Sequence, residues 1–184
     1  MSRLFLGIAL PGIYGEMLGR LRSKWAGSPG FGLRWSRPEN WHLTLVFFGT
    51  LDRGAEEQMT YALERVRFTQ FSLHGGGVGF FPPGGRPRVV WVGVQGELDR
   101  LSALKDGIDA ALAATGWKCD PRPFVPHLTL ARIRNGAGLP RDRLREDVHR
   151  MEWPSFTVDS FVLWKSELHP HGPRYTVRKV FSAT

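Results

Sequence analysis

The sequence predicts an α+β fold with two lobes, built by internal duplication, in which two antiparallel sheets face a central cleft and helices lie on the outside. Strand-like and helix-like periodicities alternate along the chain, without a low-complexity stretch. The tetrapeptide His-Leu-Thr-Leu also occurs twice, at 42–45 and 127–130, and each half carries a long amphipathic helix. Random shuffling of this composition gives roughly 0.004 copies of the tetrapeptide. The repeat therefore indicates two related halves.

Strand, helix, strand and helix follow one another in the first half. RLFLGIAL predicts a strand, and HLTLVFFG predicts a second one. Between them, four apolar residues recur at helical spacing: Ile13, Met17, Leu21 and Trp25. Asp52 is a candidate N-cap for the helix that follows, whose apolar residues are Met59, Leu63 and Val66.

The second half repeats this alternation with two additional strands at its end. FSLHG, RVVWVGV and HLTLARI predict strands, and a short helix is expected over about residues 141–150. A long helix is predicted before HLTLARI from Leu98, Leu101, Leu104, Ile108 and Leu112. FTVDSFVLWKSEL and YTVRKVFS predict the last two strands. The Gly- and Pro-rich stretches 75–87 and 134–140 are predicted to be loops.

Length and composition fit one folded domain. The chain has 184 residues, of which 42% are hydrophobic, and we expect a single bilobal domain over residues 1–184. Cys119 is the single cysteine, so the fold does not depend on a disulfide within the chain. The apolar run at the N-terminus ends at Pro11 and is too short to span a membrane. We expect a cytoplasmic protein without membrane association and without an obligate protein partner.

The net charge favours a polyanionic partner. Lys and Arg total 25 against 17 Asp and Glu, a balance of +8. A positive surface attracts nucleic acid. Most of the excess is arginine, whose planar guanidinium matches phosphate oxygens in pairs. Charge alone is equally compatible with a surface that only keeps the protein soluble.

The repeated tetrapeptide places chemistry on one face of each strand. Alternate residues of a strand share a face, so His42 and Thr44 point to one side while the leucines point to the other. His127 and Thr129 repeat the arrangement. If the two strands lie side by side, the floor of the cleft carries two imidazoles and two hydroxyls. One neutral imidazole can take a proton from water while the other, protonated, gives one to a leaving oxygen, and the hydroxyls can hold a phosphate.

Three alternatives to this acid–base interpretation follow from the same residues. Two histidines could ligate zinc, but neither motif brings a carboxylate or cysteine at ligand spacing, and a catalytic zinc usually has three protein ligands. A binding module could hold RNA ends without turning them over, although binding alone does not need paired histidines. The same histidines could also catalyse the reverse of a hydrolysis, because acid and base exchange roles in the reverse direction. We expect no metal and no cofactor.

The chain resembles the 2H phosphoesterase superfamily, which carries paired H-x-T-x motifs. Within it, the sequence is most similar to the bacterial and archaeal RNA 2′,3′-cyclic phosphodiesterases, historically called 2′-5′ RNA ligases. The resemblance extends beyond the tetrapeptides over almost the whole length. It includes, in order, RLFLGIALP, RWSRPENWHLTLVFFG, FFPPGGRPRVVWVGV, PFVPHLTLAR and VLWKSELHPHGPRY.

This resemblance implies a role for each residue of the motifs. His42 matches the proton donor to the leaving ribose oxygen, and His127 matches the base that activates water. Thr44 and Thr129 match the phosphate-binding threonines. The substrates implied are RNA ends or small cyclic nucleotides, and the product implied is a 2′-phosphate, with the 3′ oxygen leaving. The reverse reaction, which joins RNA ends through a 2′-5′ linkage, is the alternative activity that the resemblance implies. The order of donor and acceptor rests on the family, because the symmetric sequence alone does not assign it.

Residues outside the motifs are further candidates for substrate binding. Arg132 matches the family's arginine after the second motif, but regular alternation with Leu130 puts it on the leucine face, so a phosphate contact requires a bulge or twist. Arg86 and Arg88 flank a proline beside a strand and are candidates for contacts with an RNA backbone, or else for solvated surface. Four aromatic residues are candidates for base stacking or for the core: Trp41, Phe80, Phe81 and Trp91.

Overall fold

The computed structural model describes residues 1–25, 32–134, 138–170 and 172–184, and within these ranges the chain is α+β as predicted. The described helices are α1 (Gly12–Trp25), α2 (Arg53–Leu63), α3 (Leu98–Ala113) and α4 (Arg141–His149), with a short 3-10 turn at Pro38–Asn40. The described strands are β1 (Ser2–Ala9), β2 (Leu33–Trp35), β3 (His42–Leu51), β4 (Phe71–Phe81), β5 (Val89–Gly96), β6 (His127–Ile133), β7 (Phe156–Val158), β8 (Ser160–His169) and β9 (Gly172–Ser182).

The strands pair in the order β7-β4-β5-β6-β3-β1-β8-β9, and β2 pairs with β6 outside this path. Each pair is antiparallel. The two strands that carry the repeated tetrapeptide, β3 and β6, are therefore neighbours at the centre, as the duplication predicts. Leu43 lies opposite Leu128, the one residue pair in the register between these two strands. The two expected sheets are joined into one hydrogen-bonded sheet through this narrow contact.

The leucines of the repeat lie in the core. Leu43, Leu128 and Leu130 are fully buried, and Leu45 is nearly so. They belong to one continuous cluster that includes the buried faces of α1 and α3. Four of the five residues with helical spacing are buried in α3 (Leu101, Leu104, Ile108 and Leu112), whereas Leu98, at its first position, is exposed. Asp52 caps α2 as predicted, because its side chain accepts a hydrogen bond from the Ala55 amide.

The first part of one predicted loop, 75–87, is instead a strand, whereas residues 82–87 form a loop as predicted. Residues 75–81 belong to β4, which runs to Phe81 as a partner of β5. The glycines that suggested a loop lie where large rings pack on the backbone. A Cβ on Gly75 would come within 2.6 Å of the Trp153 ring, and a Cβ on Gly79 would overlap the Trp91 ring. In the other predicted loop, 134–140, residues 135–137 lie outside the described ranges.

A membrane-spanning helix is not found in the part of the chain that the structure describes, because each of its helices is too short or too polar.

Packing of Trp91 on Gly79 gives a testable consequence for stability. Gly79→Ala should lower the free energy of unfolding by about 1–3 kcal/mol, because the new methyl group forces the Trp91 ring out of place. Gly84→Ala is the matched control, since a Cβ there meets nothing within 4 Å. We expect the control to change stability by less than about 0.5 kcal/mol in urea unfolding. Equal effects of the two substitutions would contradict this account of β4.

Candidate active site

The register between β3 and β6 arranges the motif residues as a square. Because Leu43 lies opposite Leu128 in antiparallel strands, His42 faces Thr129 across the gap and Thr44 faces His127. The two histidines occupy one diagonal and the two threonines the other. Diagonal neighbours on one face of a sheet are about 7–8 Å apart. A phosphate between the strands can therefore meet an imidazole on each of two opposite sides.

Both imidazoles are oriented by the same kind of hydrogen bond. Nδ1 of His42 lies 2.7 Å from the carbonyl oxygen of Asn40, and Nδ1 of His127 lies 2.7 Å from that of Val125. A carbonyl only accepts hydrogen bonds, so each Nδ1 carries the hydrogen. In the neutral ring Nε2 then has the free lone pair. Each Nε2 is thus the nitrogen available to exchange a proton.

Matching β-bulges follow the two threonines. The register between β1 and β3 skips Leu45, and the register between β5 and β6 skips Leu130. Alternation is interrupted at each bulge, so that Leu130 and Ala131 are both buried and Arg132 is exposed. The bulge that a phosphate contact by Arg132 requires is therefore present, and Arg132 lines the same cleft as His42 and Thr129.

The bulge in β6 is held by residues from the first half of the chain. The Thr129 carbonyl accepts hydrogen bonds from Ser36 Oγ at 2.7 Å and from Trp41 Nε1 at 3.0 Å. The Ser36 amide donates to the Leu130 carbonyl at 2.8 Å. The Thr129 and Leu130 carbonyls, which the bulge displaces from regular strand pairing, thereby have hydrogen-bond donors. These contacts fix the position of Thr129 relative to the first motif.

Aromatic rings surround each histidine. The His42 ring lies 4.7 Å from the Phe5 ring, 5.6 Å from Trp164 and 5.4 Å from Tyr175, measured between centroids. On the other side of the site, the His127 ring lies 5.1 Å from Phe81 and 5.7 Å from Trp91. These rings cover part of each imidazole, and both histidines are half-buried.

This burial disfavours the charged imidazole. Burial is the largest cause that lowers the pKa of His42 from its ordinary value of 6.5 to about 4. Charge on His127 also lowers this pKa, whereas the hydrogen bond to the Asn40 carbonyl raises it. Burial also lowers the pKa of His127, opposed by the hydrogen bond to the Val125 carbonyl. Burial thus favours the uncharged form of both imidazoles, and it brings the pKa of His42 to about 4.

The cleft has a volume of about 660 Å³ and extends from His42 toward β2 and the β8–β9 hairpin. The motif residues His42, Thr44 and Thr129 line it, whereas His127 is not among its lining residues. Its arginines are Arg3, Arg22, Arg34, Arg37 and Arg132. Such a concentration of guanidinium groups gives the cleft a positive potential.

The other sequence candidates divide between core and site. Arg86 and Arg88 are exposed and do not line this cleft. Trp41 and Phe80 are buried in the core, whereas Phe81 and Trp91 pack against His127.

Phe47 and Tyr175 also line the cleft, although sequence reasoning did not single them out. A signal for Phe47 was present, because it follows His42 at the same distance at which Arg132 follows His127. Tyr175 comes from a strand outside the repeat, and no pattern in the sequence marks it.

Residues 18–170 match the family described as the 2′-5′ RNA ligase superfamily. This match covers well over half of the chain. The chain belongs to the 2′-5′ RNA ligase superfamily.

Relatives in this superfamily are similar over most of their length. The RNA 2′,3′-cyclic phosphodiesterase of Aeropyrum pernix is 35% identical over 159 residues, which cover 86% of this chain and 90% of that protein. The RNA 2′,3′-cyclic phosphodiesterase of Thermotoga maritima is 35% identical over 152 residues, 80% of this chain and 78% of that one.

The fold is also that of solved structures. E. coli LigT complexed with 3′-AMP superposes with a TM-score of 0.80 at 29% identity, covering 100% of this chain and 98% of LigT. A protein of Thermus thermophilus gives a TM-score of 0.76 at 30% identity, with 98% of this chain and 97% of that one covered. The α+β architecture predicted from the repeat is thus the architecture of the superfamily.

Metal-ligating side chains are not grouped near the histidines. Across residues 1–25, 32–134, 138–170 and 172–184, no three His, Cys, Asp or Glu side chains lie together as a set of ligands. The polar groups that the site presents are imidazoles, hydroxyls and guanidinium groups.

The buried imidazole of His42 should titrate near pH 4 in the ligand-free protein, because burial disfavours its charged form. Side-chain NMR across pH 3–8 measures this midpoint, with the urea-unfolded chain giving the ordinary value. Between pH 6.5 and about 4 the unfolded chain binds a proton at His42 that the folded chain does not. Stability should therefore fall as pH drops through this window. A His42 midpoint at or above 6.5 would contradict the buried environment.

Proposed function

We propose that this protein hydrolyses RNA or nucleotide 2′,3′-cyclic phosphate ends to 2′-phosphomonoesters by acid–base catalysis with two histidines and no metal. The observation that carries the proposal is the square at the β3–β6 junction. There His42 and His127 lie on one diagonal, and each has Nδ1 tied to a backbone carbonyl. An acid and a base on opposite sides of one phosphate are what in-line hydrolysis requires.

In the proposed step, water attacks phosphorus on the side opposite O3′. Nε2 of His127 takes the proton of the water as the new P–O bond forms. The P–O3′ bond breaks, and Nε2 of His42 gives its proton to O3′. The phosphate remains on O2′. Exchange with solvent then restores the starting protonation states.

The remaining polar groups of the cleft bind the phosphate. The hydroxyls of Thr44 and Thr129 lie on the other diagonal of the square and donate to the non-bridging oxygens. Arg132 lies beyond Thr129 on the same strand and supplies a positive charge for the same oxygens. These groups stabilise the charge that builds on the phosphate during attack.

The donor role of His42 depends on substrate charge. Before substrate binds, burial lowers the pKa of His42 to about 4, so the donor is mostly uncharged near neutral pH. An anion close to the ring favours its charged form. The cyclic phosphate is a monoanion, so its arrival raises the pKa of His42. Protonation of the donor is thereby coupled to substrate binding.

Similar proteins support the reaction class. Relatives from Aeropyrum pernix and Thermotoga maritima carry the name RNA 2′,3′-cyclic phosphodiesterase. E. coli LigT has been crystallised with 3′-AMP and with phosphate. An RNA end or a small cyclic nucleotide fits the positive potential of the cleft in this chain.

His42→Ala and His127→Ala should each lower turnover of an RNA with a 2′,3′-cyclic phosphate end by at least about 10²-fold, the scale for losing one proton-transfer group. His149→Ala is the matched control, since His149 is exposed at the end of α4, and it should keep full activity. Chromatographic product analysis and circular dichroism measure activity and folding.

Two outcomes would contradict the proposal. Near-full activity of either motif variant, in folded form, would remove the paired-histidine mechanism. Loss of wild-type activity in EDTA, restored by a divalent metal, would replace it with metal-assisted hydrolysis.

A further inference from the structure

The square formed by the two histidines and two threonines is symmetric, so it does not determine which ribose oxygen leaves. Its two histidines and two threonines are related by the pseudo-two-fold between β3 and β6. The five-membered ring of a 2′,3′-cyclic phosphate has its own local two-fold, through phosphorus and the middle of the C2′–C3′ bond. This rotation exchanges O2′ with O3′. The four motif residues alone therefore cannot distinguish the two ribose oxygens.

A substrate bound in the reversed orientation would react equally well at the square. His42 would then protonate O2′, the P–O2′ bond would break, and the phosphate would stay on O3′. Only groups outside the two motifs can favour one orientation. Such groups must face the cleft and must differ between the halves.

Phe47 and Arg132 occupy equivalent positions in the two halves, both face the cleft, and they are different residue types. Each follows its histidine by five residues and lies two residues after an equivalent bulge, at Leu45 in β3 and at Leu130 in β6. Both side chains are exposed, and both line the cleft. The pseudo-two-fold thus places an aromatic ring on one side of the phosphate and a guanidinium on the other.

The surroundings of this pair match the two ends of a nucleotide. Phe47 is 58% exposed and rests on Phe5, with ring centroids 5.7 Å apart, so its outer face is open. Within the part of the chain that the structure describes, Arg132 forms no ion pair with a carboxylate. An open ring accepts a base or sugar, and an uncompensated guanidinium accepts phosphate oxygens.

We propose that Phe47 and Arg132 together determine which ribose oxygen leaves, by fixing the orientation of the nucleotide between the two histidines. This inference rests on the proposed cyclic phosphate hydrolysis. With the nucleoside over Phe47, the guanidinium of Arg132 stays open to the phosphate. In the reversed orientation the nucleoside covers Arg132, which blocks its phosphate contact and loses the contact with Phe47. The asymmetric pair, and not the catalytic square, sets the regiochemistry.

The test is the ratio of 2′-phosphate to 3′-phosphate formed from 2′,3′-cyclic AMP, separated by chromatography. In the double variant Phe47→Arg/Arg132→Phe, the two side chains exchange places. We expect its share of 3′-phosphate to rise at least about tenfold over the wild type, the change in equilibrium expected from losing one good contact. The single variants Phe47→Leu and Arg132→Gln should raise the same share by smaller factors. They decide the question if the double variant does not fold or does not turn over.

Matched controls come from an exposed aromatic–arginine pair outside the cleft. The guanidinium of Arg65 lies 5.1 Å from the centroid of the Tyr61 ring, at α2. Tyr61→Leu and Arg65→Gln make the same chemical changes and should leave the product ratio unchanged.

The outcomes separate this inference from the function on which it rests. Wild-type protein that does not hydrolyse the cyclic phosphate would overturn both. Wild-type protein that forms 2′-phosphate, together with folded variants that keep the same ratio whatever their turnover rate, would overturn the inference and leave the proposed function standing.

Discussion

The pairing of Leu43 with Leu128 is the contact on which the site depends. It is the one pair in the register between β3 and β6, and it joins the two halves of the sheet. The two leucines are fully buried, and the residues on either side of each are turned to the opposite face. Burial of the leucines therefore fixes the arrangement of the histidines and threonines. A slip of one residue would send the imidazoles into the core.

The sequence predicted this part of the molecule well because two independent periodicities agree there. The tetrapeptide alternates with period two, and the helix α3 shows the spacing of one buried face. The bulge at Leu130 was foreseen only as a condition for Arg132 to contact phosphate. A bulge depends on how many residues the partner strand places opposite, and one strand does not contain that information. The last part of β4 was not predicted for the same reason, because Gly79 accommodates the Trp91 ring of the partner strand.

The surroundings of the two histidines lower their pKa values, and the tetrapeptide motif alone does not indicate this effect. Aromatic rings pack against both imidazoles, and partial burial lowers the pKa of both. Burial favours the uncharged form of His42, although the resemblance implies that His42 is the proton donor. The two statements agree if substrate charge protonates the donor. In that case His42 is mostly uncharged in the free protein near neutral pH, and binding of the anionic cyclic phosphate favours its protonated form.

The pH dependence of kcat/KM and kcat, measured on the same cyclic phosphate, tests this account most directly. The proposed mechanism requires one neutral and one charged histidine, so both profiles should be bell-shaped, with limbs that belong to the coupled pair. The free protein governs kcat/KM, so both of its limbs should lie below the ordinary histidine value of 6.5, since both pKa values are lowered. The alkaline limb of kcat should lie at higher pH, because bound substrate favours the charged imidazole. Activity that rises with one ionisation and stays flat to pH 10 would contradict a paired acid and base.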